Sequence, residues 1–110
     1  MDVIALVGAS GTGKSHRALQ VAREHDADAI IDDGILIKDG HIIAGESAKT
    51  EKSKIMAVRR AIFILPGHAD QVNDAIKNIQ PHRILIIGTS EKMGQKIAQT
   101  LNLPPIPQII

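Results

Sequence analysis

The stretch Gly8-Ala9-Ser10-Gly11-Thr12-Gly13-Lys14-Ser15 constrains this chain most, because its three glycines separate two runs of opposite character. Ahead of it, Val3-Ile4-Ala5-Leu6-Val7 is wholly apolar, as expected of a strand buried on both faces. Behind it, Lys14 to His25 carries helix formers and neither Gly nor Pro. The chain must therefore pass from strand to helix through a glycine-rich turn of the pattern G-x-x-x-x-G-K-[ST].

Each position of that turn has its own chemistry. Gly8, Gly11 and Gly13 admit backbone angles closed to other residues and allow close approach to an anion. With Ala9, Ser10 and Thr12 they supply successive N–H groups that form a concave nest of donors. The unpaired N–H groups and positive dipole end of the next helix point the same way. Lys14 adds a cation for outer phosphates, the Ser15 hydroxyl suits Mg²⁺, and His16 lies within reach of the same ligand. A nucleoside triphosphate with magnesium is the expected occupant.

Composition narrows the remainder. At 110 residues the chain reads as one domain, and 44% apolar with 23% charged residues is ordinary for a globular protein. A net charge of +1 does not advertise nucleic acid or an anionic membrane. Without cysteine there are no disulfides or thiolate metal sites. No apolar run reaches the ~20 residues of a membrane span. The start lacks the basic region of a signal peptide, so the cytoplasm is the expected location. Phe63 is the only aromatic residue, which argues against binding single-stranded nucleic acid by stacking.

Further along, Asp28-Ala29-Ile30-Ile31-Asp32-Asp33 reads as a second strand ending in two carboxylates. Residues 35–44 read as a β-hairpin about Asp39-Gly40, with Gly34 and Gly45 bracketing it. Ser47 to about Phe63 reads as helix, with Ile55, Val58, Ile62 and Leu65 on a buried face. On that reading Lys49, Lys52, Arg59 and Arg60 share a neighbouring basic face, with Met56 and Phe63 at its edge. Ala61 to Leu65 has a strand as its alternative reading, but helix is preferred, with Pro66-Gly67 ending it. A third helix fits Ala69 to Ile79, with Ala69, Val72, Ile76 and Ile79 on its stripe. Arg83 to Ile87 is a further buried strand, followed by Gly88-Thr89-Ser90 and a helix to Leu101. The closing Ile109-Ile110 is read either as an edge strand or as the sign of a longer protein.

Alternating strands and helices predict an α/β fold in three layers, a short parallel sheet with helices on both faces and the hairpin as an insertion. Ligands of such sheets bind beyond the carboxyl ends of the strands. That edge gathers the glycine-rich turn, Asp32-Asp33, and Gly88-Thr89-Ser90. Asp32 or Asp33 is placed to hold Mg²⁺ or to take a proton, although Asp is also common at strand ends and turns. Thr89 and Ser90 read first as helix caps. The basic face is open to a phosphorylated substrate or a protein partner, or is simply solvated. His25, His41, His68 and His82 show no metal-ligand spacing and receive no chemistry.

Gly8 to Ser15 resembles the Walker A loop of the P-loop NTPase superfamily. The resemblance implies phosphate and magnesium roles for Gly13, Lys14 and Ser15. The aspartates after the second strand are similar to those of small-molecule and nucleotide kinases, where an acidic residue there faces the phosphate acceptor. The order of glycine-rich loop, Ile31-Asp32-Asp33-Gly34, hairpin, basic helix and Gly88-Thr89-Ser90 also resembles a group of bacterial ATP-binding proteins with no assigned activity. No strand after Ile87 carries a Walker B aspartate, and the guanine-reading and transporter signatures are missing, so ATP is favoured over GTP. Two functions stand as expectations: an ATP-dependent phosphotransferase or ATPase using Lys14, Asp32 and Asp33, and a nucleotide-responsive binding module. The oligomeric state is not legible.

Overall fold

Strand β1 (Asp2–Val7) alternates strictly in what its two faces bury. Val3 and Ala5 enter one apolar cluster, Ile4 and Leu6 the other. The same division holds in β2 (Ala29–Asp32) and β5 (Arg83–Gly88), where Ile31, Ile84 and Ile86 oppose Ile30, Leu85 and Ile87. Because both faces are apolar, both need helices. This is what the computed structural model, which describes residues 1–8 and 13–110 but not the side chains of Ser15 and Gln108, contains. On one face, α1 (Lys14–Glu24) buries Ala18, Val21 and Ala22. On the other, α3 (His68–Ile79) and α4 (Glu91–Thr100) bury Val72, Ile76, Ile97 and Ala98. The chain is an α/β domain with a mixed sheet between helices.

The sheet order is β4-β3-β2-β5-β1-β6, where β3 is Ile35–Lys38, β4 His41–Gly45 and β6 Gln108–Ile109. Strands β2, β5, β1 and β6 run parallel, and β3 and β4 continue the sheet antiparallel. The hairpin expected as an insertion in a parallel sheet is therefore the edge of a mixed one. Its cause is a second Asp-Gly turn. Asp33 (φ 55°) and Gly34 (φ 90°) join β2 to β3 just as Asp39 (φ 53°) and Gly40 (φ 78°) join β3 to β4. Positive φ at both central residues marks the hairpin turn whose twist matches the flanking strands. Strand β6 pairs with β1 at Ile4 and Ala5, and Ile110 N–H donates to the Ala5 carbonyl at 2.7 Å, so the edge-strand reading of the closing isoleucines holds.

The region 47–63 departs from expectation. Ser47 caps a single 3-10 turn, Ala48–Thr50, and Ser53 caps a separate helix α2, Lys54–Ala61. Two hydroxyl caps interrupt what the apolar spacing treats as one helix. Helix α2 consequently turns Ala61 inward and leaves Ile55 and Val58 67% and 60% exposed. At Phe63 the backbone reverses with φ 66°, which carries the ring into the core beside His68, 1% exposed in both cases. The basic face does not form. Lys49 sits in the 3-10 turn, Lys52 between the two helical pieces, and Arg60 bonds to Glu46 and Glu51, each at 3.0 Å. Among the described residues no helix is long and apolar enough to cross a membrane.

Candidate functional site

At the carboxyl ends of β1, β2 and β5 the sheet opens into a cleft of about 420 Å³. Gly13, Lys14 and His16 line it from the start of α1, Asp32 and Asp33 from the end of β2. Gly88 and Thr89 close it from β5, and Lys49 from the 3-10 turn. Four segments separated in sequence thus supply two lysines, two carboxylates and a hydroxyl to one space. Parallel pairing causes this, because Val7 lies beside Gly88 and Ile31 beside Ile86. The Gly8 amide also donates to the Gly88 carbonyl at 3.2 Å, extending the match beyond β1.

Gly13 caps α1 with φ 80° and makes no side-chain cap bond. A Cβ there would meet nothing within 4 Å among the described residues, so the backbone angle calls for glycine. Lys14 Nζ donates to the Gly8 carbonyl at 2.5 Å, tying the two flanks of the glycine-rich segment together. Ala9, Ser10, Gly11 and Thr12, where the nest of donors is expected, lie outside the described residues, as does the Ser15 side chain.

The two aspartates differ. Asp32 ends β2 on the face covered by α1, since Ile31 before it belongs to the opposite cluster. Asp33 is a turn residue. Its carboxylate accepts from Ser47 Oγ at 2.7 Å and its carbonyl from the Ala48 amide at 2.8 Å. Ser90 caps α4 through the Met93 amide at 3.1 Å, as the capping reading expects, and the Thr89 hydroxyl donates to Met93 Sδ at 3.3 Å.

Two features were not visible in the sequence. The first is a larger groove, about 1000 Å³, between α2 and α4, which shares Asp33, Thr89 and Met93 with the cleft. The small residues Ala57 and Ala61, one turn apart, are its only sequence trace. The second is His68, buried beneath the Asp33-Gly34 turn. Its Nε2–H donates to the Gly34 carbonyl at 2.7 Å, and the Glu46 amide donates to the same oxygen at 3.2 Å. Nδ1 is buried with no hydrogen-bond partner among the described residues. Burial pushes the imidazole below its ordinary pKa of 6.5, and the Arg60 guanidinium nearby acts in the same direction. His68 is thus a neutral clamp for the turn that carries Asp33. Comparison of the chain with known protein families, curated proteins and solved structures returns no match.

Proposed function

We propose that this protein is an ATP-binding P-loop protein acting as an ATP-dependent phosphotransferase or ATPase. One observation carries the reading: Lys14, Asp32 and Asp33 line the same cleft at the carboxyl edge of the sheet, next to the residues that match G-x-x-x-x-G-K-[ST]. Lys14 binds the outer phosphates and stabilises charge as it develops in transfer. Asp32 orients the metal side of the triphosphate, with the Ser15 hydroxyl as its expected companion. Among the described residues no three metal-ligating side chains gather. Mg²⁺ would arrive with the phosphates, whose oxygens supply most of its ligands. When bound, the ion offsets phosphate charge. Asp33, joined to the far groove, takes the proton of the attacking hydroxyl.

The links from Asp33 to Ser47 and Ala48 favour a second reading, in which nucleotide at the cleft shifts the 3-10 turn and α2 to engage a partner. A calorimetric panel of ATP, ADP, GTP and GDP with and without Mg²⁺ tests binding. Single-turnover ADP release then separates the two readings. We expect Mg²⁺-dependent preference for ATP, and either Asp32→Asn or Asp33→Asn to slow turnover at least ~10²-fold while ATP affinity changes less than ~10-fold. Equal turnover by Asp32→Asn and wild type removes Asp32 from the chemistry. Tight ATP binding without turnover moves the binding-module reading ahead.

A further inference from the structure

The groove between α2 and α4 has a composition unlike the cleft it opens from. Its floor is Ala57, Ala61 and Met93, apolar and free of ionisable groups. Its rim carries Lys92 and Lys96, one helical turn apart on the exposed side of α4. The only carboxylate in its lining is Asp33, at the junction with the cleft. The space is of the size that encloses a small organic molecule. The lining therefore combines two cations, an apolar surface and a carboxylate, the last where the groove meets the cleft that Lys14 lines.

We propose that this groove is the second-substrate site, taking a small amphipathic acid: an apolar body over Ala57, Ala61 and Met93, an anionic group at Lys92 and Lys96, and a hydroxyl at Asp33. This rests on the phosphotransferase reading above. In the step it implies, the hydroxyl oxygen bonds to the γ-phosphorus and the bond from that phosphorus to the β–γ bridging oxygen breaks. ADP leaves with that electron pair, and the hydroxyl proton passes to the Asp33 carboxylate. A nucleoside is a poorer fit, because its ring and sugar carry no anion for Lys92 and Lys96.

Anilinonaphthalene sulfonate, an aromatic anion, is a direct probe, and N-phenylnaphthylamine is its neutral counterpart. The full chain should bind one sulfonate per molecule, with MgATP bound at the same time. Reversing the rim with Lys92→Glu and Lys96→Glu should weaken the sulfonate about 10-fold or more and the neutral probe less than about 2-fold. Both changes are on the surface, so melting temperature checks that the fold persists. Ala61→Trp, which fills the floor, should abolish both probes while MgATP still binds. Displacement of the probe by MgATP in a competitive manner would assign the groove to the nucleoside and overturn the proposal. So would rim reversal without effect, or the lack of saturable binding while MgATP binds normally. Probe binding in a chain that binds no MgATP would leave a ligand site without its second-substrate role, and would break the phosphotransferase reading instead.

Discussion

Two strand ends of this sheet are built around glycine, and they use it for opposite reasons. After β1, Gly13 takes φ 80°, and no described residue stands within 4 Å of where a Cβ would be. After β2, Gly34 takes φ 90° with no space at all, because a Cβ would run into the Glu46 carbonyl and crowd Arg60 and His68. The first junction keeps its backbone accessible beside a lysine. The second lets β3 and β4 fold back so closely that Gly34 and Gly45 pack backbone to backbone. Glycine content alone does not separate an open turn from a packing turn; what lies within 4 Å of the missing side chain does.

The sharpest way to break this contrast is Gly34→Ala. Left-handed strain of roughly 1–2 kcal/mol adds to overpacking of about 1–3 kcal/mol, for a loss near 3 kcal/mol or more in denaturant unfolding. An unchanged midpoint would mean the second junction is as open as the first. Next in size, Lys14→Ala should weaken MgATP binding about 10- to 150-fold in calorimetry, with the fold intact by circular dichroism. Unaltered affinity would remove the functional half of the contrast.

Gly13→Ala should cost only the backbone term, about 1–2 kcal/mol of stability, because no described residue crowds the new methyl. A loss equal to that of Gly34→Ala would erase the distinction. The gentlest test is pH. Since burial holds His68 below 6.5, the unfolded chain takes up a proton that the folded one refuses. Stability should be full above 6.5, fall as pH drops below it, and stop falling on this account once pH passes the depressed folded value. In a His68→Gln variant that slope between neutral and mildly acid pH should flatten, read as the pH dependence of the unfolding midpoint.

Much of the architecture was legible. β1, α1, the Asp39-Gly40 hairpin, α3, β5 and α4 follow from apolar period, caps and turn residues, and the stripe of Val72 and Ile76 is buried as read. Asp33-Gly34 had the same turn signature as Asp39-Gly40, yet reading the aspartates as a chemical pair concealed it. Ile55 and Val58 were misplaced because periodicity assumes an unbroken helix, whereas Ser47 and Ser53 cap two pieces in different orientations. Phe63 reaches the core through a left-handed backbone that no hydrophobic period announces. The cleft's lining was legible because sheet topology collects strand ends. The groove was not, since two alanines on one helix and a methionine on another carry no joint signal until the helices face each other.

The pairing of β1 has a consequence for how the protein is made. Its partners are β5 and β6 alone, so Asp2 waits for Arg83 and Ile4 for Gln108. The glycine-rich segment is synthesised well before β5, yet its supporting strand has no neighbour until β5 follows. At about 5–20 residues per second, the nascent chain carries that strand unpaired for roughly 4–16 s. The cleft is then completed late in biogenesis, and the nascent chain must keep an apolar strand soluble until β5 pairs with it.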